Sequence, residues 1–197
     1  MSDDGDAQQV LLRLIEDGVS ASATTLAKVS HTTWSTQSVS INTDTVGNVS
    51  TRLERETDEH YGAFAQMSGA VFLLMFPKRS GPNLSAAFLG ARKERPGVPP
   101  MRESVCVAEI SNIVMHTVIN TLADACDMAF MLSAPEMLVG TKTGLLKLAV
   151  EKLKCGGEKH AIMTYVHMSS ETLSSDCTVI FLLSPACRST MLRALAR

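Results

Sequence analysis

No uninterrupted apolar stretch in this chain approaches the ~20 residues that span a bilayer, and no basic start leads into an apolar run at its N-terminus. Neither secretion nor a membrane span is expected, and the cytoplasm is the expected address. Charge of one sign is equally scarce. The chain has 18 Lys and Arg against 20 Asp and Glu, a net charge of −2, so nucleic acid and anionic membranes have no electrostatic reason to bind. The five cysteines, Cys106, Cys126, Cys155, Cys177 and Cys187, are odd in number and show no C-x-x-C spacing. The histidine nearest to any of them is His160, five residues past Cys155, whereas a zinc site wants paired Cys or His at short separations. Reduced, mostly buried thiols and no metal ligands are the expectation. A G-x-S-x-G elbow, a Walker loop and a dinucleotide fingerprint are also missing, which removes the signatures of several common hydrolase, nucleotide-binding and oxidoreductase classes.

What is there suits one sizeable core or two smaller halves: 197 residues, 45% hydrophobic and 19% charged. Met1 to Ala7 is acidic and small and reads as a frayed end. From Gln8, the residues Leu11, Leu12, Ile15, Val19, Leu26 and Val29 recur at a helical period. The middle of that helix is rich in Ser, Ala and Thr, a composition suited to close packing. A strand is predicted from Gln37, with Val39, Ile41 and Val46 as its apolar positions, and Asn48 to His60 reads as a loop or a short surface helix. GAFAQMSGAVFLLMF predicts a hairpin turning near Ser68 and Gly69, and NLSAAFLGARK a short helix with Asn83 as N-cap. ERPGVPP, from Glu94 to Pro100, fits neither helix nor central strand and predicts a linker.

Beyond the linker the plan recurs. A long helix from Glu103 leads to a strand at Asp127 to Leu132, and Ser133 to Glu136 form a capping-box pattern that predicts a helical turn. A helix at Gly144 to Lys154 stops at Gly156 and Gly157. The strands HAIMTYVHMSS and DCTVIFLLS, turning near Glu171 to Asp176, precede a closing helix, CRSTMLRALAR. AVFLLMFP, ending at Pro77, parallels TVIFLLSP, ending at Pro185, each before a short Leu- and Ala-bearing helix. A single domain of two repeats is therefore expected, about 8–93 and 101–197, with 94–100 between them. The expected fold class is α+β, a pseudo-twofold internal repeat. Its two units join into one continuous antiparallel β-sheet with both long helices packed on one face, hiding edges that separate three-stranded sheets would expose.

The second long helix carries the most chemistry. On a helical wheel Arg102, Glu109, Asn112, His116, Asn120 and Asp127 fall on one stripe, while Val107, Ile110, Val114, Val118, Leu122 and Cys126 lie broadly opposite. Two Asn on one helix face, two turns apart, are unusual, because Asn competes for backbone hydrogen bonds and is a poor helix former. Glu109 and Asn112, three apart, sit side by side and can act on one target together.

Glu109, two residues, Asn112, then twenty-two residues and Pro135 resembles the active-site motif of the CheC family of chemotaxis phosphatases, which includes CheX and FliY. The family pattern opens with Asp or Ser four residues before the Glu; here that position is Val105, with Ser104 one place off. The resemblance implies a CheC-like fold over nearly the whole chain and a phosphatase acting on the phospho-aspartate of a CheY-type response regulator, in chemotaxis or two-component signalling. It makes Asn112 the residue that aligns the attacking water, Glu109 the partner of the regulator's active-site lysine, and Pro135 a structural position. His116 and Asn120 would extend a docking surface. The Mg²⁺ of the reaction belongs to the regulator, so the chain needs no cofactor of its own. Many family members carry the Glu and Asn in both halves. Here the first half has Glu16 with Val19, and Asn42 where the spaced Pro would fall, so one competent site is expected, in the second half. The alternative implied is a non-catalytic adaptor of the same fold, flagellar-switch-like or binding a CheD-like deamidase. Monomer and homodimer both remain open.

Overall fold

The computed structural model describes residues 3–89, 102–154, 160–171 and 173–196. The first half contains α1 (Asp3–Ser30), β1 (Trp34–Thr45), α2 (Val46–Leu53), β2 (Glu59–Met67), β3 (Ala70–Pro77), a 3₁₀ turn (Lys78–Ser80) and α3 (Gly81–Leu89). The second contains α4 (Glu103–Cys126), β4 (Glu136–Thr141), α5 (Lys142–Leu153), β5 (His160–Ser170), β6 (Leu173–Leu183) and α6 (Pro185–Leu195). Helix, strand, helix, hairpin, helix thus occurs twice. The segment at 94–100, like Cys155, Gly156 and Gly157, lies outside the described residues.

All six strands belong to one antiparallel sheet, in the order β1-β5-β6-β3-β2-β4. The fold is α+β with both long helices on one face, as the sequence leads one to expect. The strand order adds that the halves exchange their first strands. β1 pairs with β5 of the second half, and β4 pairs with β2 of the first. The two hairpins meet along β3 and β6, where Phe72 stands opposite Phe181 with ring centroids 5.3 Å apart. β3 is buried from Ala70 to Phe76, which is why its sequence is continuously apolar: a central strand between two helical layers has no solvent face to mark with polar residues.

Phe72, Leu74, Phe76, Val179 and Phe181 pack with α1, α3, α4 and α6 in the larger core cluster. Val71, Leu73, Met75, Ile180 and Leu182 point the other way and pack with α2 and α5 in the smaller one. Both short helices start on the same device. Thr45 and Thr141 are N-caps whose hydroxyls accept from the backbone N–H of Asn48 and Gly144.

Several elements differ from expectation. The N-terminus is helical from Asp3, with the acidic Asp6 near the positive end of the helix dipole and Ala7 buried. β1 begins at Trp34, and Val46 opens α2. Asp127 to Leu132 is not a strand. Asp127 takes a left-handed conformation (φ 51°) and closes α4 in a Schellman pattern, the Met128 N–H donating to the Ala123 carbonyl at 3.0 Å. The strand lies later, at Glu136–Thr141. The expected capping box does not form either. The Ser133 hydroxyl instead accepts from the Gln66 N–H at 3.0 Å, the Ser133 N–H donates to the Gln66 carbonyl, and Glu136 pairs with Lys152 at 2.6 Å. The β5–β6 turn is tighter than expected, with Ser170 opposite Leu173, so Ser174 to Asp176 are in the strand.

α4 is long and apolar enough to cross a membrane by length and composition, which an eye for unbroken apolar runs overlooks. Half of its apolar window is buried inside the fold, the condition of a core helix.

Candidate functional site

α4 is held at both ends. Glu103 sits in its first turn, where an acidic side chain favours the helix dipole, and accepts a hydrogen bond from the Tyr61 hydroxyl of β2 at 3.0 Å. The Asp127 cap closes the other end. Between them Cys106, Val107, Ile110, Val114, Met115, Val118, Ile119, Leu122 and Cys126 are buried against α1 and the sheet. α1 approaches closely at Gly18, where an added Cβ would lie 2.7 Å from the Cα of Val118. The small residues in the middle of α1 serve this crossing, with Ser22 fully buried beside it in sequence.

With one side of α4 fixed, the other is presented outward. Glu109 is exposed, Asn112 half-buried, His116 and Asn120 exposed. Glu109 and Asn112 are neighbours on one helical face, and among the described residues neither side chain has a hydrogen bond or ion pair. The rest of the wheel stripe diverges: Arg102 is the N-cap residue, and Asp127 lies past the last turn. Val105, at the position where the motif opens, is 40% exposed. Pro135 directly precedes β4 and is half-buried.

Among the described residues the first half presents no equivalent pair. Glu16 is half-buried on α1, but Val19 is 0% exposed and part of the main core, and Asn42 is an exposed residue of β1. No group of three or more His, Cys, Asp or Glu among the described residues is arranged to hold a metal ion. Cys106, Cys126 and Cys177 are buried free thiols and Cys187 a half-buried one. Burial pushes the titration of each upward, for Cys106 with the added charges of Glu103 and Glu109. Such thiols are poor nucleophiles and poor ligands.

A second polar cluster went unnoticed in the sequence. Its members, among them Glu56, His60, Lys142, Tyr165 and Thr178, line a cavity on the opposite face of the sheet. They come from five separate stretches, so no local spacing announces them. One signal was there to read: Lys142 opens a helix, where a cation opposes the dipole.

No protein-family model and no curated protein matches the sequence. Solved structures do. FliY from Thermotoga maritima superposes with a TM-score of 0.70 at 13% identity, covering 96% of both chains. The FliM middle domain from Vibrio alginolyticus gives 0.63 at 14% identity, over 94% of this chain and 99% of that one. A chain of the FliG–FliM complex from H. pylori gives 0.62 at 10% identity, over 95% and 98%. The architecture shared with these proteins shows that the chain has the fold of FliY and the FliM middle domain.

Proposed function

We propose that this protein is a phosphatase for the phospho-aspartate of a CheY-type response regulator, with one active site on α4. The observation that carries the reading is the pair Glu109 and Asn112, without side-chain partners among the described residues and three apart on the outward face of a helix held at both ends. An acyl phosphate is already labile, so its hydrolysis needs neither a nucleophilic side chain nor a strong base. It needs one water in line with the departing aspartate oxygen. The Asn112 carboxamide both accepts from and donates to that water without adding charge beside an anionic phosphoryl group. Glu109 pairs with a lysine of the regulator and thereby fixes the register of Asn112. The divalent ion that supports such chemistry is carried by the regulator, and no residue of this chain is assigned to it. His116 and Asn120, one and two turns further along, widen the docking face. The proposed setting is the cytoplasm, where such a regulator would meet it, in chemotaxis or another two-component pathway.

The second reading is an adaptor that docks a partner without hydrolysis. It is favoured by the likeness to FliM middle domains, one of them solved with FliG, and by Val19 lying in the core where a second Asn would stand. The decay of a phosphorylated CheY-type regulator separates the two. Wild type should accelerate decay, and Asn112→Ala should lose about 2 to 4 kcal/mol of barrier stabilisation, roughly thirtyfold to a thousandfold in rate, while still binding. Glu109→Ala should weaken binding as well. Binding with an unchanged decay rate would instead establish the adaptor.

A further inference from the structure

On the face of the sheet away from α4, a cavity of about 440 Å³ opens between the α2–β2 connection, the start of α5 and strands β5 and β6. Three of its polar lining residues are buried, beneath an exposed rim that includes Arg55, Asp58 and Asp176. Lys142 is 6% exposed, His60 4% and Thr178 1%. The Lys142 ammonium lies 5.3 Å from the centre of the Tyr165 ring and 2.5 Å from Glu56.

Lys142 is in an awkward position. As the first residue of α5 it adds positive charge to the positive end of a helix, and a buried ammonium requires a counter-anion. Among the described residues Glu56 is its one ion-pair partner. The two are unequal: the Lys142 side chain is 8% exposed and that of Glu56 40%. Glu56 can leave the pair and be solvated, whereas Lys142 cannot. The remaining acids at the rim are already engaged, Asp58 with Arg79 at 2.8 Å and Asp176 with His167 Nδ1 at 2.8 Å. Arg55 at the rim has no ion pair among the described residues.

Two further groups are left open. The Thr178 hydroxyl has no hydrogen-bond partner among the described residues. His60 Nδ1 lies 2.9 Å from the Asp58 carbonyl oxygen. A carbonyl only accepts, so Nδ1 carries the proton and Nε2 keeps a bare lone pair. That nitrogen calls for a donor, which a simple carboxylate ligand does not supply and a hydroxylated one does.

We propose that this cavity binds a small anion that also carries a hydroxyl, either hydrogen phosphate or a hydroxycarboxylate. The anionic oxygens take the place of the Glu56 carboxylate on Lys142, with Arg55 at the rim, and the hydroxyl donates to His60 Nε2. Glu56 acts as the built-in competitor that neutralises Lys142 when the cavity is empty.

Competition gives the test opposite signs at two positions. Inorganic phosphate, malate and succinate are titrated calorimetrically into wild type, Glu56→Gln, Lys142→Met and Asn112→Ala. Phosphate or malate should bind saturably to wild type, whichever binds identifying the source of the anion. Glu56→Gln should bind it about tenfold more tightly, because the competing state is removed. Lys142→Met, whose chain fills the same buried space, should bind nothing, and Asn112→Ala should match wild type. Succinate, which differs from malate by the hydroxyl, should bind more weakly than malate. The proposal fails if Glu56→Gln does not tighten binding, if folded Lys142→Met still binds, or if neither phosphate nor malate saturates wild type and Glu56→Gln.

Discussion

His60 ties stability to pH in one direction. Burial is the main force holding its imidazole below the ordinary value, aided by the nearby Lys142 charge and opposed by the Asp58 carbonyl, Glu56 and Asp58. Above the unfolded-state pKa of about 6.5 the ring is neutral in both states and costs nothing. Below it the unfolded chain takes up a proton that the folded protein resists, so stability falls with pH until the folded-state value is passed. Urea unfolding at pH 7.5 and pH 5.0 should show wild type losing more stability between the two than His60→Gln does. Equal losses would mean that the ring is not held neutral by the fold. The same buried environment explains why His60 escaped notice in the sequence. Nothing in the segment around it separates a core histidine from a solvated one. Asn112 stands out as a candidate for the opposite reason, since a poor helix former recurring on a helix face is conspicuous whether or not it is buried.

At the scale of elements, the long helices were readable because burial on one side imposes a 3.6-residue period on any sequence. β3, β5 and β6 were readable as apolar runs between turns. β4 was not. MAFML, from Met128 to Leu132, has the better strand composition, yet Met131 is 88% exposed and the paired strand is EMLVGT. The left-handed Asp127 sends the chain off α4 along a path that touches β2 through Ser133 at Gln66 and enters its ladder only at Glu136, opposite Phe64. Geometry set by one residue thus overrode propensity over the next eight or so. Packing likewise inverts a rule of helix composition at Gly18. Replacing an interior helix Gly by Ala ordinarily stabilises by about 1 kcal/mol. Here the new methyl would meet the backbone of α4 at 2.7 Å, so the helices must separate, and overpacking of this kind costs about 1 to 3 kcal/mol. Gly18→Ala should lower the urea midpoint, and Gly18→Val should lower it further. A raised midpoint for Gly18→Ala would show that the crossing accommodates a methyl group without separating the helices.

For the molecule as a whole, the internal repeat was visible in AVFLLMFP and TVIFLLSP, but the exchange of first strands was not, because a strand's sequence records which faces are buried and not which neighbour it pairs with. The exchange makes the halves interdependent. Separated, the first half keeps the β2–β3 hairpin but loses β5, the sole partner of β1, along with β6 beside β3 and β4 beside β2. The second half loses the corresponding partners, and each half exposes the apolar edge of a central strand. Fragments 1–93 and 101–197 prepared apart should therefore lack a cooperative unfolding transition and fixed tertiary structure by near-ultraviolet circular dichroism. Mixed in equal amounts, they should recover both, since every lost strand partner is supplied by the other fragment. A half that unfolds cooperatively alone must bury the β3 or β6 edge in some other way, and the exchanged strands would then be an elaboration of two self-sufficient units.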